Sequence, residues 1–198
     1  MSSDSASIST SPSPSRRKRA DPPATWSRAQ RRLHWSIATL VVVAASLGLT
    51  MVRVPFAELL LKFLLYQLHK TIGLTVFALA LVQIALHWRR GRPAWDAMPA
   101  WQWRAARISH TALFMLLVAT PILGYFTAAT APARIPTLFL IIVPIPHVVG
   151  TSKTAFAILR EVHLTSALLI LVLAAVHAGA AINHQRRGRR ILTRMWRG

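Results

Sequence analysis

Residues 161–184 read EVHLTSALLILVLAAVHAGAAINH, a stretch with His163 and His177 in its interior, His184 at its end, and no Asp, Glu, Lys or Arg after Glu161. With the residues before it, the run covers residues 156–183, and as a helix it is long enough to cross a hydrocarbon core about 30 Å thick. Ionisable side chains are costly inside a membrane and are usually functional there. The stretch therefore predicts a transmembrane helix whose histidines have a chemical role.

Three further apolar runs of similar length occupy residues 33–52, 66–88 and 108–128. The first begins more than 30 residues into the chain, which favours a retained helix over a cleaved signal peptide. The chain is 54% hydrophobic with a mean hydropathy of +0.43, outside the range of ordinary soluble domains. The predicted fold class is all-α, an integral membrane four-helix bundle.

The segments outside the four runs differ in composition. Residues 1–25 are rich in Ser and Pro and predict a disordered basic tail, followed by a single transmembrane domain over residues 26–198. Residues 135–150 are apolar but interrupted by three prolines, which predicts an interfacial or re-entrant segment. Pro121, inside the third run, predicts a kink in that helix.

The basic residues predict the orientation. The chain has 24 Lys and Arg against five Asp and Glu, a formal charge of +19 that on a soluble protein would suggest nucleic-acid binding. Here 18 of the 24 flank the runs on one side and six on the other, so the positive-inside rule predicts that both termini are cytoplasmic, with lipid and not nucleic acid as partner. Tryptophans, which favour the headgroup level, lie near the same ends of the runs: Trp26, Trp35, Trp88, Trp95, Trp101, Trp103 and Trp196.

The absence of cysteine excludes several kinds of metal chemistry. Disulfides, thiolate zinc sites, iron–sulfur clusters and thioether-linked c-type haem all need cysteine. Any metal is therefore held by His, Met or carboxylate groups.

The histidines form two sets matched in depth. His163 and His177 are 14 residues apart, which puts them within about 40° of one helix face and about 21 Å apart along the axis. His69 begins the second helix at the depth of His163, and His34 begins the first at the depth of His177. A pair of neutral imidazoles from facing helices can hold a haem iron, so the sequence predicts two b-type haems, one per pair. The alternative for any single histidine is a helix-end cap or an interhelical hydrogen bond.

Four other histidines lie outside these pairs. His87 lies 18 residues after His69 on the same helix face and competes as a ligand of the cytoplasmic haem, as does His110 at the start of the third helix. His147 and His184 are expected to be solvated at the interface.

The residues RRLHW at 31–35, LHKTIGLT at 68–75, ISHTALFMLLVATPILGY at 108–125 and the stretch at 161–184 resemble the bacterial cytochrome b561 family. The resemblance extends from Arg31 to the C-terminal ILTRM. It implies a four-helix, di-haem inner-membrane protein whose axial ligands match His34, His69, His163 and His177. This chain departs from the family immediately after His163, where a glutamate is often found. Leu164 takes that position here, and Glu161 lies two residues before His163.

The resemblance also implies a function. It suggests ubiquinone as a redox partner, and some relatives look like superoxide oxidases that pass electrons from periplasmic superoxide to quinone. Arg190 and Arg194, in the basic cluster after the fourth helix, are candidate quinone-binding residues, with topology and anionic lipid as the alternative explanation. The outer side has six cations that are expected to steer superoxide or to bind headgroups: Arg53, Lys62, Lys70, Arg134, Lys153 and Arg160.

Membrane-embedded histidines also suit two other functions. One is a haem-bearing membrane anchor that relays electrons for a partner oxidoreductase such as a hydrogenase or dehydrogenase. The other is a proton-coupled transporter with histidine relays, which needs acidic groups deep in the membrane that the apolar cores of the four runs lack. No Gly-rich dinucleotide turn is present, so an electron-transfer role does not involve a resident nicotinamide or flavin site of that kind.

Overall fold

The computed structural model describes residues 25–91 and 99–197. The predicted disordered tail, residues 1–25, lies outside the described residues except for Thr25, and Trp95 also lies outside them. The prediction for the tail stays a prediction.

Four long helices account for most of the described chain: α1 (Arg28–Met51), α2 (Leu59–Arg90), α3 (Ala100–Thr130) and α4 (Lys153–Arg186). All four are long and apolar enough to cross a membrane, which confirms the predicted helices. A 3₁₀ turn at Phe56–Glu58 precedes α2, and a short helix α5 (Ile191–Trp196) follows α4.

The predicted helix bounds were wrong chiefly at the starts of α2 and α3. Both helices begin well before the apolar runs at 66–88 and 108–128, because backbone hydrogen bonding continues past charged residues that end a hydropathy run. α1 begins with a capping box in which Ser27 and Gln30 satisfy each other's backbone N–H groups. α3 continues through Pro121, and the kink expected there stays a prediction.

The helices pack in chain order, α1 on α2, α2 on α3 and α3 on α4. Several residues buried between them are small or polar, and Thr120 on α3 donates a hydrogen bond to Ser166 on α4 at 3.1 Å. Large apolar side chains such as Leu60 and Val172 are exposed instead. This distribution suits helices whose outer faces meet lipid and whose contacts depend on close packing.

A β-hairpin interrupts the all-α architecture between α3 and α4. Its strands, β1 (Thr137–Phe139) and β2 (Val143–Ile145), pair antiparallel with Leu138 opposite Pro144. The fully buried Gln67 of α2 donates to Pro136 O and accepts from Leu138 N, both at 2.9 Å. The segment predicted as interfacial or re-entrant is therefore an ordered hairpin fixed to α2, which the prolines alone did not predict.

The two ends of the bundle are distinguished by what they carry. Trp35 on α1 donates from Nε1 to Met195 O at 3.1 Å, and Arg31 donates to Trp196 O at 3.0 Å, so α5 packs beside the start of α1. We call this the terminal end, and the opposite end, with β1 and β2, the hairpin end.

Candidate functional site

At the hairpin end, α2 and α4 bring two histidines close together. The ring centroids of His69 and His163, the hairpin-end pair, are 6.1 Å apart and their planes are 88° apart. His69 Nδ1 lies 2.9 Å from Ala44 O on α1, and His163 Nδ1 lies 3.0 Å from Thr120 O on α3. A carbonyl oxygen only accepts, so each Nδ1 carries the proton and each Nε2 keeps its lone pair for a metal.

At the terminal end, α1 and α4 form a second pair. The ring centroids of His34 and His177, the terminal-end pair, are 6.3 Å apart at an interplanar angle of 63°. His110 on α3 lies closer to His177, at 5.0 Å. His87 contacts Gln83 O of its own helix at 2.7 Å and packs against the rings of Trp26 and Phe114.

The spacing of both pairs fits an iron between the rings. Two imidazole–metal bonds of about 2 Å each separate the ligand nitrogens by about 4 Å and the ring centroids by about 6 Å. Both pairs match this separation, whereas His110 and His177 are too close together. Within residues 25–91 and 99–197, no group of three or more His and carboxylate side chains could hold a bare metal ion. A porphyrin would supply the remaining ligands of an iron held by two histidines.

A cavity of about 580 Å³ adjoins the hairpin-end pair, within the usual size range for a bound cofactor. His69 and His163 are both in its wall, and its polar groups otherwise come from Lys62, Tyr66, Lys70, Tyr125, Thr127 and Thr137. The rest of the wall is apolar or glycine, as a largely apolar macrocycle requires.

Comparison with known proteins identifies the family. A family model described as prokaryotic cytochrome b561 matches residues 25–198. The chain belongs to the prokaryotic cytochrome b561 family. It is 31% identical over 161 residues to cytochrome b561 homolog 1 of Escherichia coli (strain K12), an alignment that covers 80% of this chain and 89% of the relative. This cytochrome is therefore a membrane haem protein of the electron-transfer class, with haem of the b type.

Two glycines of this cytochrome support the hairpin-end pair and were missed from the sequence. A Cβ on Gly124 would lie 2.9 Å from His163 Cε1, and one on Gly48 would lie 3.1 Å from His69 Cε1. Each ring therefore lies against the backbone of the neighbouring helix, α3 or α1. The available signal was a glycine inside an apolar helical run, which destabilises a helix and so indicates a close approach.

The structure separates the other predicted residues from this site. Arg190 precedes α5 and Arg194 lies within it, at the terminal end and away from the cavity of the hairpin-end pair. Their assignment to quinone stays a prediction. His184 is half-buried at the same end, and its Nδ1 has no hydrogen-bond partner among the described residues.

The His147 side chain, expected to be solvated at the interface, contacts two neighbouring side chains. Its Nε2 lies 2.9 Å from Thr137 Oγ1, and its ring lies 6.1 Å from that of Tyr125. Partial burial and, to a smaller extent, the charge of Lys70 lower the pKa of His147. The neutral imidazole accepts the hydrogen bond from the Thr137 hydroxyl, which links β1 to the chain after β2.

Proposed function

We propose that this cytochrome holds two b haems, one at the hairpin-end pair and one at the terminal-end pair, and conducts electrons across the bacterial inner membrane. The observation that carries the proposal is the ring spacing of 6.1 and 6.3 Å in both pairs. α4 contributes one histidine to each pair, and the 14 residues between them correspond to about 21 Å along the helix. Two redox centres at that separation form a path across most of a hydrocarbon core.

The chain's own residues prepare the two hairpin-end ligands for iron. Bound haem supplies a one-electron iron couple. Ala44 O and Thr120 O fix the tautomer of the hairpin-end pair, so that both Nε2 atoms keep a lone pair for iron. The apolar wall of the cavity limits the access of water to the pair.

The proposed orientation has the terminal end in the cytoplasm. The described terminal end carries many more Lys and Arg residues than the hairpin end, as the positive-inside rule requires. Tryptophans near the same end, such as Trp35 and Trp196, would lie at the headgroup level. The hairpin end then faces the periplasm.

We take superoxide as the proposed periplasmic donor and ubiquinone as the acceptor. Two superoxide anions lose one electron each to become dioxygen, and the two electrons with two protons convert ubiquinone to ubiquinol. The described residues carry only two carboxylates, Glu58 and Glu161, and Glu161 is paired with Arg160 at 2.6 Å. The remaining positive charge at the hairpin end would attract an anion. Arg190 and Arg194 are the proposed quinone-side residues.

The ligand assignment is tested by haem counting in four single variants. His69→Ala and His163→Ala should each remove the same haem, and His34→Ala and His177→Ala should each remove the other, as read from reduced-minus-oxidised spectra and haem per chain. His110→Ala is the matched control and should leave both haems. If His110→Ala removes a haem that His34→Ala leaves in place, the terminal-end pair is wrong.

The donor and acceptor are tested on the purified protein with superoxide and ubiquinone supplied in turn. The proposal expects superoxide to reduce the haems and ubiquinone to reoxidise them. Reduction by ubiquinol but not by superoxide would refute the superoxide donor. That result would favour quinol oxidation or the alternative function, a relay subunit for a partner hydrogenase or dehydrogenase.

A further inference from the structure

Lys70 is a cation in the wall of the cavity beside the hairpin-end pair. It follows His69 directly on α2, and its side chain is half-buried and lines the same cavity as the two imidazoles. Its ammonium contacts only backbone carbonyls, Pro136 O at 3.1 Å and Ile135 O at 3.5 Å. Within the described residues it has no carboxylate partner, because the one ion pair there joins Arg160 to Glu161.

A partly buried ammonium without a counter-ion is unfavourable unless a bound group supplies the negative charge. A lysine ammonium has three N–H donors, and the two carbonyls account for two of them. The third donor is available to a ligand in the cavity.

The other lysine in the cavity wall differs in this respect. Lys62 donates to Val54 O at 2.6 Å and to Met51 O at 3.4 Å, and its Nζ lies 4.6 Å from the centre of the Phe56 ring. These contacts occupy its three donor directions and hold it at the C-terminal end of α1, where a cation is favourable. Of the two lysines, Lys70 is the one with a donor left for a ligand.

The b haem that belongs in such a site brings negative charge of its own. Its two propionates are carboxylates on an otherwise apolar macrocycle, and a carboxylate in a largely apolar cavity needs a charge-assisted hydrogen bond. The remaining polar side chains in the wall, including Tyr66, Tyr125 and Thr137, are neutral.

We propose that Lys70 is the counter-ion of a haem propionate at the hairpin-end pair. The inference rests on the proposed function, in that it assumes a haem between His69 and His163. Lys70 thus joins three parts of the site, since its neighbour in sequence is a ligand, its carbonyl contacts hold the segment before β1, and its free donor meets the cofactor.

The test compares two pigments in the full-length chain. The chain carries His177→Ala, so that the hairpin-end pair is the remaining site, and it is prepared without haem and titrated with protohaem or with its dimethyl ester, which lacks the propionate charge. Lys70→Met should weaken the binding of protohaem about tenfold or more, the usual scale for a hydrogen bond to a charged group. Lys70→Met should change the dissociation constant of the ester by less than about twofold, because the ester has no propionate charge to lose a partner.

Lys62→Met is the matched control, with the same charge removed from the same cavity wall. It should weaken both pigments by the same factor. If Lys70→Met weakens the binding of both pigments equally, Lys70 only holds the hairpin. If Lys62→Met weakens protohaem more than the ester and Lys70→Met does not, the propionate pairs with Lys62 and not with Lys70. Either result overturns the inference while leaving the ligand pair intact.

A second measurement covers the case in which the His177→Ala chain does not fold. In the otherwise unaltered chain, Lys70→Met should lower the midpoint potential of one haem and leave that of the other unchanged, because an unpaired propionate favours the oxidised iron. An unchanged potential at both haems overturns the inference. Absence of any b-type band with either pigment in the unaltered chain would instead refute the proposed function itself.

Discussion

Replacement of Gly124 by alanine tests whether the hairpin-end imidazole is held as closely as the structure indicates. The new Cβ would lie 2.9 Å from His163 Cε1 and 3.2 Å from its Nδ1, against an ordinary contact distance that begins at 3.4 Å. The ring must therefore retreat by several tenths of an ångström from a helix whose Thr120 O it contacts at 3.0 Å. Overpacking of this kind costs about 1–3 kcal/mol, which corresponds to a roughly five- to 150-fold weaker hold on the cofactor.

The assay is haem retention in the purified protein, measured as the rate of haem transfer to an excess of a haem-free acceptor globin. Gly48→Ala provides a graded comparison, because its Cβ would approach His69 less closely, at 3.1 Å, and its effect should be smaller. Gly179→Ala on α4 is the matched control, since a Cβ there meets nothing within 4 Å. It should leave haem loss unchanged and, in helix-propensity terms, favours the helix by up to about 1 kcal/mol.

The order of the three variants decides the outcome. Gly124→Ala should release one haem fastest, Gly48→Ala the same haem less quickly, and Gly179→Ala neither. If Gly124→Ala retains haem as well as Gly179→Ala does, the ring of His163 does not depend on a bare backbone, and the close approach has no functional role. Loss of both haems together in Gly124→Ala would indicate a general packing defect and would also refute this reasoning.

Three further predictions concern the hairpin and the terminal end. Because the folded-state pKa of His147 is lowered from 6.5, chiefly by burial and then by the charge of Lys70, stability should be full above about pH 6.5 and fall as the pH drops towards the folded value. Thermal unfolding between about pH 7.5 and 5.5 should show this slope, and His147→Gln should flatten it. Asn-Gly in place of Leu140-Ile141, whose φ angles are +52° and +66°, should raise the free energy of unfolding by about 1–2 kcal/mol in denaturant titrations. Trp35→Phe removes a hydrogen bond to α5 worth about 1 kcal/mol and should speed hydrogen exchange there; unchanged exchange would show that α5 packs independently.

The helices could be predicted from the sequence because hydropathy over about 20 residues is a property of the run itself. The hairpin could not. Its turn places Leu140 and Ile141 in the left-handed region, where glycine or asparagine is expected, and Ile142 N donates to Phe139 O at 3.2 Å to close it. Local propensity disfavours that turn, and the contacts of the buried Gln67 with the segment override it. Those partners are about 70 residues away in sequence, and no local pattern reveals them.

The histidine pairs were predictable to the extent that helix geometry fixes depth. Counting residues from each membrane end matched His69 with His163 and His34 with His177. In the structure the ring centroids of these pairs are 6.1 and 6.3 Å apart, a separation that fits an iron between the rings. Depth alone did not separate His34 from His110, because both lie in the terminal-end part of their helices. The separation depends on how far α1 and α3 stand from α4, which is set by packing between helices and not by spacing along them.

The same local arrangement supports both members of the hairpin-end pair. Ala44 and Gly48 on α1 are four residues apart, and so are Thr120 and Gly124 on α3. In an α-helix the carbonyl of one residue faces the fourth residue after it, so a glycine there leaves that carbonyl uncovered and open to a second donor. Each imidazole enters this gap and donates from Nδ1 to the exposed carbonyl. The hairpin-end site therefore engages all four long helices, since α2 and α4 supply the ligands while α1 and α3 supply the carbonyl and the gap that orient them.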